Sequence, residues 1–205
     1  SYDNLQPTFT ELDQQLSAYP DYLAFAIVDE KGIAHYTDGS TSDLADRSYI
    51  QAAFKGETVL SDIVISRVTG EPVLMLATPI ETASKETALL LARVDGYILS
   101  DVIDTIEIGE TGYAFIINNE GIMQGHVKRE YVKEQMNYIE EENTVSAAIQ
   151  SMIDNTSGYS KYEDVEGDMR LAGFYTLNNN WTMAVTATEA EMLKGLNTVK
   201  INLVA

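Results

Sequence analysis

No cysteine occurs among the 205 residues. That absence removes disulfide scaffolds, thiol nucleophiles and cysteine-ligated zinc together. Histidine is almost as scarce. His35 and His126 stand far apart with no HxxxH or HxH companion, so the spacing of a zinc site is missing and no metal is expected. No run of about 18 apolar residues is present, which excludes a membrane-spanning helix within this segment. No basic-then-apolar signal peptide opens it, and it begins on Ser1, so a piece of a longer protein is expected. Positive charge is also short: 13 Lys and Arg face 32 Asp and Glu, a net charge of -19. Over a Debye length of about 8–10 Å such a surface repels phosphate backbones and anionic headgroups, so nucleic acid is not expected as a partner. The P-loop, GxGxxG and GxSxG signatures are missing as well; neither a catalytic residue nor a cofactor is expected.

What is present is a globular composition, 45% hydrophobic, in a chain long enough for one medium domain or two small lobes. Thr8 to Tyr19 has a capping-box start (Thr8 with Glu11) and apolar residues three and four apart, which predicts a helix stopped by Pro20. Strands are expected at Leu23–Val28, Ile33–Tyr36, Val59–Ser66, Val73–Ile80 and Ala88–Asp95, with Thr37–Ala45 and Glu81–Thr87 as polar loops. The last of these strands is apolar on both faces, as a central strand must be. Period two places Leu89, Leu91, Arg93 and Asp95 on one of its faces. Tyr97–Ile103 reads as a helix.

The pattern then begins again. Ala24 to Ile33 and Tyr113 to Ile122 align without a gap as strand, acidic or amide turn, glycine, strand, so two copies of one fold are expected, divided near Ile108. The second copy continues through a helical region, Tyr131–Ile153, with a solvated acidic run at Glu140-Glu141-Glu142, and three more strands at Gly158–Glu163, Met169–Tyr175 and Trp181–Thr186. Each half is thus an antiparallel α+β unit of about five strands flanked by helices. The tail from Glu189 is predicted helical, with Met192, Leu196, Val199 and Leu203 as an apolar stripe.

Binding chemistry concentrates at Asp46-Arg47-Ser48-Tyr49, at the head of a short helix. A guanidinium there can meet a carboxylate in a two-pronged hydrogen bond, and a phenol two residues on can wall the same space. The alternative for Arg47 is a surface ion pair with Asp46 or Asp43; for Tyr49, ordinary packing. Asp95 closes an apolar strand, and a buried carboxylate needs a partner. Arg93 is poorly placed for it, since neighbours on one strand face stand about 7 Å apart. Solvent, a backbone donor and a ligand cation remain as partners; the ligand cation is the favoured expectation, with a cation-π contribution from Tyr49. Ser66 and Met75 are candidates for the wall by position alone.

The ordered features resemble the double Cache sensor domain: Asp46-Arg47-Ser48-Tyr49, Thr69-Gly70-Glu71-Pro72-Val73, Asp95, and Gly109 to Phe115. The resemblance covers nearly all of residues 20 to 190. It implies two tandem PAS-like modules, a membrane-distal, ligand-binding one at residues 23–108 and a membrane-proximal one at 109–188. Residues 1–22 would be the remnant of a stalk helix and a homodimer contact, and residues 189–205 would lead towards a membrane segment. It further implies the extracytoplasmic region of a chemoreceptor or sensor histidine kinase, anchored in the cell membrane. In amino-acid-binding members an arginine holds the ligand's carboxylate and an aspartate its ammonium; Arg47 and Asp95 fall on those positions. Tyr49, Ile50 and Ser42 depart from the aromatic residues of those members. An amine or amino acid is thus the first expectation for the ligand, with a nucleobase next.

Overall fold

A computed structural model of the chain describes residues 6–81, 87–140 and 144–194. The chain divides into two compact units, Ser1–Ile98 and Leu99–Ala205. In the first, helix α1 (Gln6–Ala18) precedes strands β1 (Tyr22–Val28), β2 (Ile33–Tyr36) and β3 (Thr41–Asp43). Helix α2 (Ser48–Ala53) follows, then β4 (Val59–Leu60), β5 (Val64–Ile65), β6 (Pro72–Glu81) and β7 (Thr87–Asp95). The strands form one antiparallel sheet in the order β3-β2-β1-β7-β6-β4, with β5 also paired to β6. Strand β7 lies between β1 and β6, which is why its sequence is apolar on both faces.

The register sets Ala26 opposite Leu91, Leu91 opposite Ala77, and Arg93 opposite both Ala24 and Met75. These residues share the face that α2 covers with Tyr49, Ile50 and Ala53. Burying large side chains such as Ile50, Leu89 and Leu91 there contributes about 1.5–3 kcal/mol each.

Seven strands replace the five expected, for two physical reasons. The polar run Thr41–Asp43 pairs with β2 at the sheet edge, where one side faces water and apolar residues are not required. The expected strand Val59–Ser66 is broken into β4 and β5 at Ser61, whose hydroxyl accepts the Met75 N–H at 3.0 Å in place of a backbone carbonyl. Helix α1 is already formed at Gln6, so Thr8 lies within it instead of capping it.

The second unit contains most of α3 (Ile98–Asp104), then β8 (Tyr113–Ile117), β9 (Met123–His126) and α4 (Glu130–Lys133). A 3-10 turn at Tyr138–Glu140 and helix α5 (Thr144–Asp154) lead into β10 (Ser157–Glu163), β11 (Met169–Thr176) and β12 (Thr182–Thr188). Its antiparallel sheet has the order β10-β11-β12-β8-β9, five strands as the sequence suggests. The helical stretch expected at Tyr131–Ile153 is interrupted: Gln135 takes φ 52°, and the Met136 carbonyl turns to accept the Met123 N–H. Of the acidic run only Glu140 lies within the described residues; of the tail stripe, only Met192.

Where the chain enters and leaves this sheet, one carboxylate joins both ends. Glu191 accepts hydrogen bonds from the backbone N–H of Glu110 (2.5 Å) and Thr111 (2.9 Å), and from the Thr111 hydroxyl. Strands β8 and β12 are antiparallel neighbours, with Tyr113 opposite Thr186.

The repeated turns are built alike, bond for bond. Asp29 Oδ1 accepts the N–H groups of Lys31 and Ile33, and Asn118 Oδ1 accepts those of Glu120 and Ile122. Gly32 and Gly121 then take φ 83° and 80°. The copies differ in their surroundings. A Cβ on Gly32 would come within 2.6 Å of the Ala45 backbone, whereas one on Gly121 would meet the mobile end of the Ile139 side chain. Gly32→Ala is therefore expected to destabilise the first unit by more than the ~1–2 kcal/mol of a left-handed alanine, and by more than Gly121→Ala costs the second. Thermal unfolding of both variants checks this; equal losses contradict it.

Candidate functional site

Helix α2 starts at Arg47, an extended N-cap residue (φ -76°, ψ 130°) whose side chain makes no cap hydrogen bond. It is therefore free to turn inward. Asp46, one of the two acids that could have paired with it, is held elsewhere: it accepts two hydrogen bonds from Arg67, at 2.5 and 3.0 Å, and this holds the Asp46 carboxyl below its ordinary range. Arg67 in turn reaches the Asp43 carbonyl at 3.3 Å. The buried Nε of Arg47 has no hydrogen-bond partner.

A second arginine meets the same space. Arg93 is on the α2 face of β7, and its guanidinium carbon sits 5.4 Å from the centre of the Tyr36 ring. Its Nε is also buried without a partner. Arg47, Arg93, Tyr36, Tyr49, Ser66 and Met75 line a cavity of about 20 Å³, room for roughly one water molecule. Burial pushes the Tyr49 phenol up to about 12 and raises that of Tyr36, so both stay protonated near neutrality. Ser66 contributes to the wall, but its hydroxyl accepts the N–H groups of Val68 and Thr69, both at 3.2 Å.

Four of the five residues proposed from sequence are thus brought together: Arg47, Tyr49, Ser66 and Met75. Asp95 is not among the lining residues. Its Oδ1 accepts the Tyr97 N–H at 2.8 Å, closing the turn from β7 into α3. Sequence reasoning missed Arg93 and Tyr36. The signal for Arg93 was a charge on the face it shares with Leu89 and Leu91, where a core strand has no ordinary use for one. Ser42 lines the cavity too, and the ring from this part of the sheet is that of Tyr36.

The sequence profile described as Cache domain, dCache_1, matches residues 6–196. The chain belongs to the Cache domain family. Solved structures similar to this Cache domain include the extracellular domain of an inferred histidine kinase, mmHK1S-Z3, at 14% identity and TM-score 0.75, with 97% of this chain and 84% of that one covered. The ligand-binding domain of the Pseudomonas aeruginosa amino acid chemoreceptor PctB, solved with L-Arg, aligns at 17% identity and TM-score 0.70 over 96% and 78% of the two chains. The sensory domain of the Campylobacter jejuni chemoreceptor Tlp3, with isoleucine bound, aligns at 12% identity and TM-score 0.64 over 93% and 76%. At these identities the likeness is one of fold. Among the described residues of this Cache domain, no group of His, Asp and Glu is placed to hold a metal ion, and no helix is long and apolar enough to cross a membrane.

Proposed function

We propose that this Cache domain is the extracytoplasmic ligand-binding region of a membrane signalling receptor, and that its first unit takes a small metabolite by its carboxylate. The observation that carries this reading is the pair of buried guanidinium nitrogens, on Arg47 and Arg93, that have no partner in the protein. Leaving buried polar groups of charged side chains unpaired costs more than about 1–3 kcal/mol each, and an anionic ligand relieves that cost. Binding, not catalysis, suits these groups. The guanidiniums are fixed charges, and the two phenols hold their protons at neutral pH.

Amino acids and simple carboxylates are the ligand class, and Asp95 separates the two. An amino acid needs an acceptor for its ammonium; Asp95 serves if its carboxylate leaves the Tyr97 N–H. With about 20 Å³ of space in the cavity, the wall formed by β5 and the turn after it must move to admit either ligand. A ligand that favours the opened wall shifts that equilibrium only by its difference in affinity for the two arrangements. That shift is the signal we assign to the first unit.

Calorimetric titration of the 205-residue chain with a panel of amino acids and mono- and dicarboxylates tests the reading. Arg47→Ala and Arg93→Ala are each expected to weaken the hit by about 30-fold or more, since truncating one side of a buried charge pair costs ~2–5 kcal/mol. Asp95→Asn weakens an amino acid and leaves a simple carboxylate unchanged. Wild-type affinity in both arginine variants overturns the site.

A further inference from the structure

The second unit has a larger cavity, about 260 Å³, between β8, β9, α5 and the β10–β11 turn. Its walls are rings: Tyr113, Phe115, His126, Tyr131, Tyr138 and Tyr162. The ring pairs are edge-on or tilted, as with Tyr113 and His126 (5.1 Å, 65°) and Tyr131 and Tyr138 (6.2 Å, 80°). Met123, Val145 and Ile149 make the remaining wall apolar.

The charges around this cavity cancel within the protein, in contrast to the Nε atoms of Arg47 and Arg93 in the first unit, which have no hydrogen-bond partner. Arg170 Nε donates to Asp164 Oδ2 at 2.5 Å, and Lys128 Nζ stands 3.5 Å from Glu166 Oε1. Both cations also lie over rings, Arg170 at 4.8 Å from the centre of Tyr113 and Lys128 at 5.6 Å from that of Tyr131. An organic cation entering here meets two cations already seated on the rings. An anion has to displace Asp164 from Arg170. His126 Nδ1 accepts the Lys128 N–H at 2.8 Å, which places the proton of the neutral imidazole on Nε2 and makes that edge a donor.

We propose that the second unit has a ligand site of its own, for an uncharged, planar heteroaromatic compound of the size of a purine base. The rings supply stacking surfaces, which are tolerant of ring type because every base has a π face. The imidazole and phenols supply hydrogen bonds to the ring edge. The volume falls just under the ~300–1,000 Å³ of drug-sized sites, which suits one or two fused rings and nothing larger.

The test uses the 205-residue chain and four probes, adenine, hypoxanthine, uracil and indole, by calorimetry at neutral pH. At least one is expected to bind with one-to-one stoichiometry. Tyr131→Ala is expected to weaken that probe by about 10-fold or more, the usual loss when a stacking ring is removed. Arg47→Ala leaves it unchanged, which separates this site from that of the first unit. Val145→Phe, which fills the cavity, and nuclear Overhauser contacts from the probe to the Ile149 and Met123 methyls guard against a Tyr131 variant that merely unfolds. Binding by none of the four, contacts elsewhere, or binding lost in Arg47→Ala and retained in Val145→Phe overturns the proposal.

Discussion

Asp164→Asn is expected to destabilise the second unit by about 3 kcal/mol, read as a fall in the urea midpoint of that unit's transition. The Asp164 and Arg170 side chains are 12% and 10% exposed. Removing one member of a buried pair leaves an uncompensated charge and costs ~3–5 kcal/mol; the cavity beside this pair admits solvent, which favours the lower figure. Asp164 does more than neutralise. Its Oδ1 accepts the N–H groups of Glu166 (2.9 Å) and Asp168 (3.0 Å) and so shapes the hairpin turn between β10 and β11. Arg170 Nη1 reaches the Thr111 carbonyl at 3.2 Å, carrying the pair's effect to the start of β8. Burial alone raises the Asp164 pKa, but the hydrogen bond from Arg170 and those from the turn outweigh it and hold the carboxyl below its ordinary range. The double variant Asp164→Asn, Arg170→Met is expected to recover most of the loss, because it removes both charges. A single variant as stable as wild type refutes the role given to this pair.

The second large effect depends on pH. His126 is 4% exposed, and burial, aided by the charge of Lys128, lowers its pKa from 6.5 to about 4. Glu130 and Asp104 act in the opposite sense and do not prevail. The folded unit therefore binds fewer protons at this position than the unfolded chain does between these values. Its contribution to stability is complete above about pH 6.5 and is lost as pH falls towards about 4. A displacement of that size corresponds to about 3 kcal/mol across the window. Unfolding free energies of wild type are expected to fall steeply over this range, and those of His126→Gln to stay nearly flat until the depressed carboxylates titrate. Equal wild-type stability at pH 7.5 and 5 contradicts the assignment.

The features legible in the sequence were those with a local cause. The turns at Asp29 and Asn118 were readable because a short acceptor side chain and a glycine three positions on complete each turn by themselves. Strand β7 was readable because only a central position needs apolar residues on both faces. The edge strand β3 was not, since Thr41, Ser42 and Asp43 have poor strand character and owe their pairing to β2. The break at Ser61 was hidden because it depends on Met75, distant in sequence. The candidate site divides in the same way. Arg47 and Tyr49 share a helix start and could be seen together. Arg93 could be placed on the right face, but that its Nε has no partner emerges only from the folded arrangement, in which Asp46 is bound to Arg67 and Asp95 to the Tyr97 N–H. The Arg170–Asp164 pair spans a hairpin whose turn, Glu166-Gly167-Asp168, was readable from sequence; the aromatic enclosure around it was not.

The carboxylate of Glu191, which bonds to Glu110 and Thr111 where the second sheet begins, has a mechanical meaning. Strands β8 and β12 are antiparallel neighbours, and the chain enters at one and leaves at the other on the same side. Tension applied between those two points loads the ladder as a zipper, one rung after another from Tyr113 and Thr186, instead of shearing all its rungs at once. The Glu191 contacts lie ahead of the first rung and carry the load before any strand does.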